Sequence, residues 1–163
     1  MASSSIDIFD TTGIRLKKDA CVVIVRTAWN AAVLDKLEEG CLKVLHAHHV
    51  ATRVITVPGA FEIPFGIKSH WEKNKYQDCK PDAFIALGCI IRGDTPHFEY
   101  VCNAVTDGVL QLNFQLPVPT IFGVLTVNTQ EQADERIGGT AGHKGEEAAS
   151  TALQMIALSQ KEN

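Results

Sequence analysis

Ala83-Phe-Ile-Ala-Leu-Gly-Cys-Ile-Ile-Arg-Gly-Asp-Thr-Pro-His-Phe-Glu-Tyr100 decides how the rest of the chain is read. Residues 83–91 are apolar or glycine without a break, as in a strand covered on both faces. Arg92, Gly93, Asp94, Thr95 and Pro96 then interrupt the run, and from Phe98 to Phe114 apolar residues return at helical spacing. A buried strand, a polar loop with a glycine and an amphipathic helix together make half of a parallel crossover unit.

The same unit repeats in both directions. Cys21–Val25 (Cys-Val-Val-Ile-Val) is β-branched and uninterrupted, and Val33, Leu37, Cys41, Val44 and Leu45 recur at helical spacing through residues 31–48. Arg53–Val57 and Thr120–Leu125 read as two further strands, with a helix over Ile63–Lys73 after Pro58-Gly59. The end of the chain reads as wholly helical. Thr129 and Gln132 form a capping box for a short helix to Ile137, and Gly138-Gly139 end it. A last helix runs from Glu146 to Leu158, with Ala149, Ala152, Leu153, Ile156 and Ala157 on one face. The order β-α-β-α-β-α-β-α-α predicts a four-stranded parallel sheet with right-handed crossovers and helices on both faces. Ile6, Ile8 and Phe9 could add an edge strand to this sheet or to that of a neighbouring subunit. One domain over residues 1–163 is expected, with an arm at 1–20 and a core at 21–158.

Composition narrows the function classes. Fifteen basic against nineteen acidic residues give a net charge of −4, without the basic excess of a nucleic-acid binder. The apolar runs are far too short to span a membrane, and Met1–Asp10 lack the basic start and apolar core of a signal peptide. Five cysteines (Cys21, Cys41, Cys79, Cys89, Cys102) form no Cys-x-x-Cys pair, and all but Cys79 have apolar neighbours. A reducing cytoplasm without a disulfide framework is the expectation.

In an open α/β sheet, ligands collect beyond the carboxyl ends of the strands. Four segments should meet there: Arg26–Asn30, Pro58–Glu62, Cys89–His97 and Val124–Thr129. Glu62 suits a helix start, where its charge complements the dipole, and equally a polyhydroxylated ligand held by one carboxylate and the Ala60–Phe61 backbone. Gly93 and Thr95 before a helix can receive an anion, though no nucleotide fingerprint is present. His97 stands at that helix start, where the dipole disfavours the imidazolium; it is either a cap or a proton carrier. Arg136, with Lys144 inside the glycine-rich stretch 138–145 that follows it, reads as a phosphate clamp or a solvated loop. Lys144 lacks the apolar pocket or second lysine of a Schiff-base amine. Trp29 and Phe122 are either core or stacking platforms. His46, His48 and His49 lack a partner ligand for a metal, and His70 reads as surface helix. No nucleophile, base and orienter stand in triad order, so proton transfer with phosphate departure fits better than hydrolysis.

Val57–Pro64 (VPGAFEIP), Ala86–Cys102 (ALGCIIRGDTPHFEYVC), Phe122–Thr126 (FGVLT) and Glu131–Gly145 (EQADERIGGTAGHKG), in that order, resemble the lumazine synthase family over about residues 20–158. The resemblance implies a flavodoxin-like α/β/α sandwich assembling as a homopentamer or a sixty-subunit shell, in some cases with riboflavin synthase as partner. It also implies the condensation of 5-amino-6-ribitylaminouracil with 3,4-dihydroxy-2-butanone 4-phosphate to 6,7-dimethyl-8-ribityllumazine, without a cofactor and without a covalent enzyme intermediate. Carried over, the stacking aromatic falls at Trp29 beside Asn30, the ribityl chain meets Ala60, Phe61 and Glu62, and Cys89, Ile90 and Ile91 offer backbone to the pyrimidine. Asp94 and Thr95 face the phosphate substrate, with Arg136 its main charge partner across a subunit interface and Lys144 an auxiliary cation. Phe122 closes the pocket from the adjacent subunit, and His97 moves protons.

Two positions depart from the family's usual residues: Trp29, where phenylalanine is usual, and His143, where asparagine is common. The larger face of Trp29 should favour flavins as product-like ligands. A silent flavin-binding scaffold on the same architecture is the competing reading. A flavodoxin-type electron carrier fits less well, because Arg26–Asn30 contains no glycine for a phosphate loop.

Overall fold

A computed structural model describes residues 7–161. Strand β1 (Cys21–Thr27) leads through helix α1 (Ala31–Ala47) to β2 (Ala51–Val57). A 3-10 turn at Ala60–Glu62 opens α2 (Ile63–Asn74), which is followed by β3 (Ala83–Ile91), α3 (His97–Gln115) and β4 (Thr120–Val127). The four strands form one parallel sheet in the order β2-β1-β3-β4. This doubly wound order reverses direction between β1 and β3, and the crevice at such a switch point is where ligands bind.

Side-chain alternation along the two central strands builds two cores. Val22 and Ile24 of β1 and Ile85, Leu87 and Cys89 of β3 pack with Leu34, Leu37 and Leu45 of α1 on one face. Val23, Val25, Phe84 and Ala86 face the other way, against Ile63, Ile67 and Trp71 of α2 and Val105, Val109 and Leu112 of α3. Burial on both faces explains why β1 and β3 are written as unbroken apolar runs. Strand β2 lies at the sheet edge, and Ala51, Arg53, Val54 and Thr56 are exposed.

The end of the chain corrects the wholly helical expectation. Helix α4 (Gln130–Asp134) is only a short turn, and β5 (Ile137–Gly139) pairs antiparallel with β6 (Gly142–His143) before α5 (Lys144–Lys161) begins. The forward half of the capping box forms, Thr129 Oγ1 accepting from Gln132 N at 3.3 Å, while Gln132 Oε1 reaches one residue further back and accepts from Asn128 N at 2.7 Å. Gly138 (φ 110°) and Gly142 (φ 90°) take backbone angles that favour glycine, so the chain turns into a hairpin. Glu135 holds the hairpin tip by accepting from Thr140 N at 2.8 Å. Helix α5 joins the α1 face, burying Ala149, Ala152, Leu153 and Ile156. Gly145 permits that approach, since a Cβ there would lie 2.1 Å from the Leu37 carbonyl oxygen.

No strand forms among residues 7–20, which corrects the expectation of an edge strand on this chain's own sheet; Ile6 lies outside the described residues. Backbone carbonyls of Ile8 and Asp10 instead accept from Gln154 Nε2 on α5, at 2.8 and 3.3 Å.

The outer side of β4 is closed at its start by a side chain. Asn113 of α3 accepts from Thr120 N at 2.8 Å and donates Nδ2 to Thr120 O at 3.0 Å. Asn113→Ala leaves both peptide groups without this partner, so a loss of about 1–2 kcal/mol is expected. Calorimetry should show this as a fall in Tm of about 3–6 °C.

Candidate active site

A cavity of about 440 Å³ opens where β1 and β3 end, at the switch point. That volume suits a small-molecule ligand. Its wall contains Trp29 and Asn30 after β1, Ala60, Phe61 and Glu62 after β2, and Cys89, Ile90 and Ile91 at the end of β3. His97, the first residue of α3, completes it. The loop ends expected to converge therefore do so, with the exception of the one after β4.

Local geometry explains the position of each group. Trp29 is 73% and Phe61 64% exposed, so these rings are platforms rather than core. Asn30 adopts a left-handed conformation (φ 57°) before α1, which asparagine tolerates better than most residues. Its Nδ2 donates to Cys89 O at 2.8 Å, tying the end of β1 to the end of β3. A Cβ on Gly59 would lie 3.1 Å from Glu62 Oε2 and 3.7 Å from the Trp29 ring. The bare glycine thus leaves room for carboxylate and indole side by side.

Asp94 and Thr95 are exposed on the loop between β3 and α3. Arg92 braces that loop: its Nε donates to Asn128 Oδ1 at 2.8 Å, its guanidinium lies 4.2 Å from the Phe98 ring centre, and it pairs with Glu99. The Arg92 hydrogen bond holds the exposed Glu99 carboxyl below its usual range. Burial pushes the Cys89 thiol up to about 11, so it is neutral near pH 7 and cannot serve as a thiolate nucleophile.

Phe122, Arg136 and Lys144 lie outside this cavity. Phe122 and Lys144 line a second hollow of about 400 Å³ at the outer side of β4, between α3 and α5. Arg136 donates to Ala141 O at 2.7 Å and to Glu147 Oε2 at 3.2 Å, and Lys144 Nζ stands 3.8 Å from the same oxygen. One carboxylate therefore pre-orients both cations while leaving them donors to spare.

Val101, which lines the cavity, and Glu147, which holds the cation pair, escaped the sequence reading; Thr27 and Gly59, from two of the segments expected to meet, line the cavity as well. Thr27 was legible as the polar end of an apolar run, and Glu147 as an acidic residue three after Lys144 in a first helical turn. Among the described residues, no group of three or more His, Cys, Asp or Glu is placed to hold a metal. His46 and His48 instead contact Thr52 and Thr11 hydroxyls, at 3.3 and 3.0 Å. His70 corrects its surface reading: it is half-buried edge-on to Phe84, and desolvation holds its pKa below the usual value. Among the described residues, no helix is long and apolar enough to cross a membrane.

A family profile described as 6,7-dimethyl-8-ribityllumazine synthase matches residues 19–160. Curated relatives carry the same description. One from Parabacteroides distasonis is 40% identical, across 97% of this chain and 98% of the relative. One from Bacteroides fragilis is 46% identical across 82% and 92%, and one from Porphyromonas gingivalis 42% across 92% of each.

Proposed function

This chain belongs to the 6,7-dimethyl-8-ribityllumazine synthase family, and from that premise we propose which of its residues carry the reaction. The enzyme condenses 5-amino-6-ribitylaminouracil with 3,4-dihydroxy-2-butanone 4-phosphate, releasing phosphate and water in riboflavin biosynthesis. The uracil stacks on Trp29, its edge meets the backbone of Cys89, Ile90 and Ile91, and its ribityl chain runs along Ala60, Phe61 and Glu62. Asn30 contributes by holding the Cys89 carbonyl in place. The substrate's own amine attacks the ketone; water leaves as the imine forms, phosphate is eliminated, and ring closure expels water again. His97 moves the protons these steps require. Asp94 and Thr95 place the phosphate ester, and Arg136 and Lys144 neutralise it.

One observation carries this assignment: the heterocycle-sized cavity with Trp29 and His97 is open, while Lys144 and Phe122 face a separate hollow on the same chain, whose Glu147 also holds Arg136. Two copies placed edge to edge would unite the halves, which supports a homopentamer or a sixty-subunit shell with sites between neighbours. Residues 21–158 form the core of one domain and 1–20 an arm; the cytoplasm is its place of work and riboflavin synthase a candidate partner. Mixing the purified chain with both substrates should yield lumazine absorbance and free phosphate in equal amounts. Pigment binding without phosphate release would instead establish a silent scaffold.

Because the Trp29 ring is exposed in the cavity wall, riboflavin should quench its fluorescence on titration. Unchanged emission in Trp29-containing protein, with Trp29→Phe as the reference for Trp71, would show that no flavin stacks there.

A further inference from the structure

At the opposite end of the sheet from the cavity, Cys21 opens β1 and Cys79 lies in the turn before β3. Cys21 is the first of the seven residues of β1, whose far end at the cavity lies about 20 Å of strand away. The two sulfur atoms are 2.8 Å apart, and both thiols are free. The backbone of Cys21 is tied to Asp82, three residues after Cys79: Cys21 N donates to Asp82 Oδ2 at 2.9 Å, and Asp82 N donates to Cys21 O at 2.8 Å. Lys17 pairs with the same carboxylate at 2.9 Å. Closing a bond of about 2.05 Å therefore requires less than about 1 Å of movement. Cys21 is fully buried, whereas Cys79 is half-exposed and within reach of a small oxidant.

We propose that Cys21 and Cys79 are a reversible thiol–disulfide pair, closed by a peroxide, that staples β1 to the turn before β3. The Cys79 thiolate attacks one peroxide oxygen; an S–O bond forms, the O–O bond breaks, and the departing hydroxide leaves as water. The Cys21 sulfur then attacks the Cys79 sulfenic sulfur. An S–S bond forms, the S–O bond breaks, and the expelled hydroxide takes the Cys21 proton to give a second water. Two thiols have lost two electrons and two protons, and one hydrogen peroxide has become two waters. Burial and the adjacent thiol push Cys21 up to about 12, with the Arg53 cation opposing them, which suits the resolving rather than the attacking role.

The test treats the intact enzyme with one equivalent of hydrogen peroxide, alkylates it under denaturing conditions and maps the peptides without reduction. The expected result is a Cys21–Cys79 linked peptide within one chain, a mass loss of about 2 Da, and two of the five cysteines protected from alkylation. Dithiothreitol restores all of them. The closed form should melt about 5–10 °C higher, because the bridge restricts the unfolded chain. Turnover should be unchanged in the closed form and in Cys79→Ser, and peroxide should produce neither bridge nor Tm shift in that variant. Cys79 sulfinic acid with Cys21 still alkylated, a bridge through Cys102 or between chains, or five free thiols after treatment would each overturn the proposal.

Discussion

His97→Ala should retain its fold and lose about 10²–10⁴-fold in kcat, the usual contribution of a well-placed proton carrier. Residual activity is expected, because the cavity still holds both substrates together, and that effect alone can correspond to effective molarities of ~10⁵ M or more. Steady-state rates at saturation of both substrates are the measurement. The imidazole is the first side chain of α3 and lines the cavity, so its removal leaves the sheet and both cores untouched. A variant that turns over at the parental rate would remove His97 from the chemistry.

Arg136→Ala should raise KM for the phosphate substrate about 10²-fold, the loss of two charge-assisted hydrogen bonds, while KM for the uracil changes little. Equal losses for both substrates would contradict a phosphate-specific role. The side chain is braced by Glu147 and the Ala141 carbonyl, so truncation leaves Glu147 with Lys144 as its remaining cation. The two variants also report on shared sites. If neighbouring chains supply His97 and Arg136 to one pocket, then reassembling equal amounts of the two variants recreates about one intact interface in four. At a phosphate-substrate concentration near the parental KM, far below that of Arg136→Ala, recovered turnover near a quarter of the parental value is expected. Activity that stays at the level of the separate variants would place both residues in the same chain's pocket.

The two central strands and four helices were readable because each is either covered on both sides or striped at a helical period. Strand β2 was recognised two residues short, since Ala51 and Thr52 carry no apolar pattern at the exposed sheet edge. The β5–β6 hairpin was invisible for another reason. Its strands are too brief to alternate, and the glycines that signal a helix stop are the same ones that turn a hairpin. The cavity was anticipated from strand order alone, because loops at the carboxyl ends of β1, β2 and β3 must meet beside the reversal. That Phe122 and Lys144 would face elsewhere was not visible from spacing. It depends on which side of the sheet each strand residue takes and on how α5 docks through Gly145 against Leu37. Asn30 shows the same limit: the resemblance placed it beside the stacking ring, and its Nδ2 donates to the Cys89 carbonyl, a bond that spacing alone did not reveal.

Strand β2 borders the sheet with no further strand beside it among the described residues. Its outward amides and carbonyls are a template for any extended peptide that comes near. A newly made chain is therefore most vulnerable to off-pathway clumping while this edge is uncovered, and slow, dilute refolding should recover more usable protein than rapid refolding at high concentration.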